Sequence, residues 1–438
     1  MTSEAVNTTG KPTVLMFGWE FPPYSSGGLG TACYGLTKGL KNNNADVIFV
    51  VPRGDDSSAS HVKLRIASEM FNKHAHAMNL KTLVVDSPLK AYMTPTVYSK
   101  AGKKYLYGGN LFEEVERFSQ IAKTIAKQEK FDIIHCHDWI TYKAGINAKK
   151  ISGKPLVVHV HATEFDRSGG NINNYVYNIE KAGMLAADRV VCVSNLTRNI
   201  VLKKYGIAPE KVLVVHNAIE HPSLPQRKEH FAIKKKNKIV LFLGRITLQK
   251  GPDYFVEAAK KVTQKMSNVT FIIVGSGDME AQIMEKAASL GLGTKVLFTG
   301  FMDQTEVDKA FRMADVYVMP SVSEPFGLTA LEAMRNGTPC IISKQSGVSE
   351  VVKHCLKVDF WDVNELANKI VSTLKYPHLH NTLKENGSVE VKKFNWDNSA
   401  KKCVDVYSDA INNNLTRHSA RAQQHTHHFT RETPGGCS

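Results

Sequence analysis

No C-x-x-C pair occurs in the 438-residue sequence; its seven cysteines stand apart at 33, 136, 192, 340, 355, 403 and 437. This spacing offers neither a disulfide framework nor a thiolate zinc site. Several of these cysteines fall inside apolar runs, as small buried hydrophobes of a reducing compartment do. Long apolar stretches are missing too. The runs 47–51 (VIFVV) and 271–274 (FIIV) are strand-length, far below the roughly 18 to 20 residues of a membrane span. Residues 1–11 are polar and lack the regions of a secretory leader, so a soluble, cytoplasmic protein is expected. The Asn-x-Thr triplets at Asn195 and Asn336 then count as chance. Helix-turn-helix, finger and RNA-binding signatures are absent, so the +15 charge and pI near 9.3 do not imply a nucleic-acid partner. Lysine-rich helix faces and an anionic substrate account for the charge. Peripheral contact with anionic lipid is open to such a surface but is not the favoured reading.

What is present suits two α/β domains. The chain is long for one core, and 42% hydrophobic residues can fill two. In the first half, 13–17 (TVLMF) reads as a buried strand, followed by the glycine-rich 25–31 (SSGGLGT) and a helix over 31–40. That order lets a phosphate or sugar approach the backbone at Gly27 and Gly28. Strands follow at 47–51, 131–137 (FDIIHCH), 156–161 (LVVHVH), 189–193 and 212–216, with an amphipathic helix over 111–127. Residues 53–104 carry few signals and read as irregular. A charged, proline-containing linker is expected over 221–237. The pattern restarts with strands at 238–243 (KIVLFL), 269–274, 296–301, 315–319 and 339–343. The His-, Arg- and Gln-rich tail after Asn412 is expected to be disordered.

The chemistry concentrates in residues 320–334 (PSVSEPFGLTALEAM), read as a strand end, a tight loop and a helix start. Free N–H groups at such a helix start, around Gly327 and Leu328, suit a phosphate. Glu324 and Glu332 flank that point. Carboxylates repel an anion, so their expected task is to accept hydrogen bonds from hydroxyls on either side, a sugar and a ribose. Arg245 and Lys250 leave one loop after the strand 238–243 and can converge on one anion. Polar residues also end the strands 131–137 and 156–161: His137, Asp138, Trp139 and His161. The H-x-H pairs 135/137 and 159/161 admit a metal reading, but no carboxylate or cysteine partners close the set. His135 and His159 are therefore expected to be satisfied core residues, and no metal is expected.

Glu324 and Glu332 resemble the E-x7-E element of retaining GT-B glycosyltransferases, family 4 and the related glycogen and starch synthases. Arg245 and Lys250 are similar to the family's R-x4-K pair, and 25–29 (SSGGL) to its K-T-G-G-L element, with Ser25 in place of the lysine. Residues 216–220 (HNAIE) resemble its crossover segment with Ala218 for Gly, while 137–139 (HDW) and 110–118 lean toward the glucan synthases. The resemblance implies two Rossmann-like domains, 11–220 for the acceptor and 238–393 for the donor, with a helix over 394–412 crossing back and a tail over 413–438. It further implies retention of configuration, with glucose moved from ADP- or UDP-glucose to an α-1,4-glucan. The alternative acceptor is a lipid, cell-wall or small sugar.

In that resemblance Arg245, Lys250 and the N–H groups at Gly327 and Leu328 meet the leaving phosphate, and Gly27 and Gly28 let the backbone approach it. Glu324 grips the sugar hydroxyls, and His161 contacts the sugar near its C6 hydroxyl. Glu332 takes the ribose, Phe301 lies near the base, and Phe326 and Thr329 line the donor side. Asp138 and Trp139 are assigned to the acceptor side, and no cofactor or metal is implied. Two readings from other classes are a metal-dependent hydrolase built on the four histidines and a sugar-nucleotide epimerase. A non-catalytic binding module is disfavoured, because it has no need of two cations facing an anion.

Overall fold

The structure, a computed structural model, describes residues 11–22, 27–52, 60–67, 111–221 and 236–429, with side chains up to Thr416. Ser25, Asn110 and most of the linker lie outside the described residues.

Seven strands form the first sheet: β1 (Thr13–Phe17), β2 (Asp46–Val51), β3 (Lys63–Ile66), β4 (Ile133–His137), β5 (Leu156–Val160), β6 (Arg189–Cys192) and β7 (Val212–Val214). Their order is β3-β2-β1-β4-β5-β6-β7, and every pairing is parallel. Helices cover both faces of such a sheet, which is why β4 and β5 read as unbroken buried runs rather than alternating ones. Six strands form the second sheet: β8 (Lys238–Leu243), β9 (Val269–Val274), β10 (Val296–Gly300), β11 (Val316–Met319), β12 (Cys340–Ser343) and β13 (Leu356–Val358). Their order is β10-β9-β8-β11-β12-β13, again parallel.

Each sheet reverses its winding once, between β1 and β4 and between β8 and β11. Ligands of open α/β sheets bind beyond the carboxyl ends of the strands at such a reversal. The loops at those four ends carry Gly27 and Gly28, His137 and Asp138, Arg245 and Lys250, and Glu324 to Gly327. The topology alone thus singles out the segments that carry the sequence motifs.

The last helix, Trp396–Phe429, returns to the first domain. Trp396, Ala400, Cys403, Tyr407 and Ala410, spaced three or four apart on one helix face, join the first domain's core. They meet the helix Gly28–Asn42 at its glycines. A Cβ on Gly35 would stand 2.1 Å from Trp396 Nε1, and one on Gly39 2.5 Å from the Trp396 carbonyl oxygen. The expected break at Asn412 is corrected: no glycine or proline interrupts 396–429, and the first breaker is Pro434. Residues 53–104 are corrected in part as well. Lys63–Ile66 pairs with β2 as an edge strand, its alternating charges having hidden it from an apolar reading. The six described cysteines are free and buried, as expected.

Candidate active site

In the first domain, β4 delivers His137 and Asp138 to the cleft edge. Asp138 adopts φ 60° and ψ 169°, an unusual conformation for a residue with a side chain. Its buried carboxylate explains the conformation: Oδ1 accepts the backbone N–H of His161 at 2.7 Å and of Ala162 at 3.3 Å. Asp138 therefore fixes the loop after β5. Trp139 is only 4% exposed and packs near Phe112, with ring centroids 6.0 Å apart. The acceptor-side expectation for these two is corrected in that both side chains are buried and face the protein's own interior. His161 is half-buried, and His137 Nδ1 lies 2.9 Å from its Nε2. Burial pushes the His161 pKa down, against the opposing pull of Asp138, so its ring is neutral near pH 7.

The two neighbouring glycines differ. A Cβ on Gly27 would collide with Glu20 Oε2 at 2.4 Å, whereas Gly28 faces open space. Among the described residues no side chain caps helix Gly28–Asn42, and its first N–H groups can serve an anion.

In the second domain, Lys250 Nζ donates to Glu324 Oε2 at 2.6 Å, and Ser321 Oγ donates to the same oxygen at 3.2 Å. No described residue donates to Glu324 Oε1, which leaves that oxygen for a hydroxyl. Arg245 is exposed, and its Nη2 reaches Gln249 Oε1 at 3.4 Å. The Glu324 main chain is clamped from one side by Gln345 and Gly347, at 2.9 and 2.8 Å. Gln249 O holds Val322 from the other, at 2.9 Å. Gly327 then turns the chain with φ 111°, a conformation that favours glycine, and Leu328–Arg335 begins. No described residue accepts from the N–H groups of Gly327, Leu328 or Thr329. Their partial positive charge opens beside Lys250.

Three donor-side expectations are refined. Phe326 is 2% exposed, so only its main chain can face a ligand. Thr329 Oγ1 accepts from Tyr317 and is turned inward, at 2.8 Å. Phe301, by contrast, is 75% exposed after Gly300 and presents a free ring face. Glu332 is half-buried, and burial pushes its carboxyl up to about 7. Arg335 opposes the shift and Asp308 adds to it. Arg335 is itself engaged by Asp308 at 2.6 Å, and no described residue donates to the Glu332 carboxylate. Gly275 and Gly277 have a packing role: a Cβ on either would stand 2.0 or 2.2 Å from the Gly244 or Ile246 carbonyl oxygen.

Comparison with known proteins identifies the family. A family model described as "Glycosyltransferase Family 4" matches residues 26–221, and "Glycosyl transferases group 1" matches 225–389. An uncharacterized glycosyltransferase of Methanocaldococcus jannaschii is 30% identical over 91% of this chain and 98% of its own. The chain belongs to the family 4 glycosyltransferases. Other relatives of this glycosyltransferase act on different acceptors. An Escherichia coli UDP-Gal:alpha-D-GlcNAc-diphosphoundecaprenol alpha-1,3-galactosyltransferase is 26% identical, over 75% of this chain and 86% of its own. A Mycobacterium tuberculosis glycogen synthase is 25% identical, over 77% and 80%. Among solved structures, sucrose-phosphate synthase from Thermosynechococcus elongatus superposes with a TM-score of 0.70 at 21% identity, covering 91% of this chain and 98% of its own. The GT-B fold is thereby shown.

The transferase's two walls are joined by residues that motif reading passed over. Asp166 Oδ1 accepts from Ser323 Oγ at 2.5 Å, while Asp166 Oδ2 accepts from the Thr163 N–H and hydroxyl, both at 2.7 Å. Ser323 precedes Glu324 and Thr163 follows His161 by two, so one carboxylate ties the His161 loop to the Glu324 loop. Glu350 makes a second tie. It accepts from the N–H groups of Asn195 and Leu196 at 2.9 and 2.7 Å, at the start of helix Asn195–Tyr205, and from His216 at 3.3 Å. The Thr163–Asp166 spacing marks a capping box, but no spacing rule marks the reach of Asp166 to Ser323 or of Glu350 to Asn195, each on a segment far away in sequence.

The histidines depart from expectation. His135 Nδ1 reaches Tyr407 Oη at 2.6 Å, but its Nε2, the His137 Nε2 and both ring nitrogens of His159 are buried with no partner among the described residues. His159 is not a satisfied core residue. Each such atom costs roughly 1–3 kcal/mol.

Proposed function

We propose that this glycosyltransferase moves a hexose from a nucleoside diphosphate sugar to an acceptor hydroxyl with retention, the donor held by the second domain. One observation carries the reading: the N–H groups of Gly327, Leu328 and Thr329, which no described residue accepts from, open beside the Lys250–Glu324 pair. Negative charge grows on the departing diphosphate, and prearranged positive groups stabilise it without reorganising. Lys250, Arg245 and the helix N–H groups supply them. Glu324 Oε1 accepts from a sugar hydroxyl, its other oxygen being fixed by Lys250 and Ser321. Glu332 accepts from the ribose, and the exposed ring of Phe301 lies on the base side. His161 approaches the sugar from the first domain, in an orientation held by Asp138. The chain's own groups balance the phosphate charge, so this reading requires no cofactor.

The donor reading is ADP- or UDP-glucose and the acceptor an α-1,4-glucan, supported by the resemblance of 137–139 (HDW) and 110–118 to glucan synthases and by the glycogen synthase relative. A second acceptor, a lipid-linked sugar, is supported by the galactosyltransferase relative and by the burial of Trp139, which withholds that ring from a glucan. Incubation with each donor and either maltooligosaccharide or a polyprenyl-diphosphate sugar separates them. Chain extension of the oligosaccharide supports the glucan acceptor, and transfer only to the lipid-linked sugar rejects it. Stereochemistry at the new bond, read by NMR, tests retention.

A further inference from the structure

Strands β4 and β5 are adjacent and in register, with His137 opposite His159. Alternate residues of a strand share a face, so His135, His137, His159 and His161 stand together on one side of the sheet. Neighbouring rings lie 4.3 to 5.4 Å apart between centroids. One potential ligand atom from each of His135, His137 and His159 lies within 4.8 Å of the others, and all three residues are buried.

The hydrogen bonds already present fix where two of the lone pairs point. His135 uses Nδ1 toward Tyr407 and His137 uses Nδ1 toward His161. When each Nδ1 donates, each Nε2 carries the lone pair, and both Nε2 atoms lack a partner. Histidines that bind metals show this arrangement, the remote nitrogen donating to an outer partner that orients the ring. His159 brings two further unpartnered nitrogens.

We propose that His135, His137 and His159 bind one divalent first-row transition metal ion, zinc being the first candidate. Imidazole nitrogen suits zinc, copper and nickel. The ring planes lie 16 to 30° from parallel, so bonds of about 2.0 to 2.1 Å require the rings to turn until three nitrogens converge within the 4.8 Å cluster. The ion satisfies three of the orphaned nitrogens and ties β4, β5 and the returning helix through Tyr407. It also polarises His137, whose Nδ1–H then holds His161 with Nε2 as acceptor. The site is structural and lies behind the cleft, distinct from the diphosphate position.

The test must exclude the histidine-rich tail, so the full-length chain carries His418→Ala, His425→Ala, His427→Ala and His428→Ala and no histidine tag. It is produced with zinc sulfate, dialysed against chelator and analysed by elemental mass spectrometry. The expected result is about one zinc ion per chain, lost when His159→Leu is added. If that variant fails to fold, cobalt(II) exchanged into the tail-substituted chain decides: strong visible bands of a tetrahedral imidazole site support the proposal. No retained metal, a weak octahedral cobalt spectrum, or a crystal structure with water bridging the His159 nitrogens overturns it.

Discussion

Ser323 Oγ donates to Asp166 Oδ1 at 2.5 Å across the cleft. Ser323 adjoins Glu324, and Asp166 also holds Thr163, two residues beyond His161. A single carboxylate thus sets the spacing between the residues proposed to grip the sugar from either side. Because Asp166 is only 3% exposed, this bond is screened little by water.

Ser323→Ala removes the tie and leaves each domain's own packing intact. A hydrogen bond to a charged group contributes roughly 1.5–3 kcal/mol, so kcat/KM should fall about ten- to a hundredfold, and the melting temperature should fall by a few degrees because a buried carboxylate oxygen loses its donor. Steady-state kinetics with calorimetry check this. Unchanged kinetics would remove the tie from the account.

Glu332 gives a pH signature. Burial pushes its carboxyl up to about 7, above the usual glutamate value, so between those values the folded state holds more protons than the unfolded. Stability from this group therefore declines as pH rises toward 7 and stays lower above it. Glu332→Gln should melt higher than the parent at pH 8, and this advantage should shrink toward pH 5. Nucleotide affinity should behave oppositely in the parent, strengthening from pH 6 to pH 8 as the carboxylate forms, and the glutamine variant should not show the trend.

The fold was legible because parallel strands buried on both faces appear as apolar runs, and β4, β5, β8, β9 and β11 each end in a loop with polar or glycine residues. The donor-side motifs were legible for a related reason: Arg245 with Lys250, and Glu324 with Gly327, lie within single strand–loop–helix units. Asp166 and Glu350 were not, because their partners lie 157 and up to 155 residues away. Asp138 and Trp139 misled because polarity at a strand end does not show whether a side chain turns to ligand or to backbone. His159 misled because periodicity places a ring on a face without saying whether its nitrogens find partners.

Glu350→Ala should reduce stability by about 1–2 kcal/mol, since the carboxylate caps two N–H groups at a helix start. Denaturant unfolding measures it. Adding His216→Ala should cost less in the Glu350→Ala background than in the parent, because the two side chains contact each other.

Lys250→Ala removes a cation and strands the Glu324 carboxylate. Turnover should drop roughly a hundredfold or more, and the melting temperature should fall as well. Lys250→Ala paired with Glu324→Gln should recover the stability without recovering the turnover. Recovery of both in the double variant would make the pair purely structural.

A crystal structure of the full chain with a bound nucleoside diphosphate would show whether Lys250 and the start of Leu328–Arg335 hold the leaving group. The account predicts the terminal phosphate within hydrogen-bond reach of the Gly327 and Leu328 N–H groups and of Lys250 Nζ, with Arg245 turned toward it. A diphosphate bound elsewhere, with Lys250 and the start of Leu328–Arg335 untouched, would contradict it.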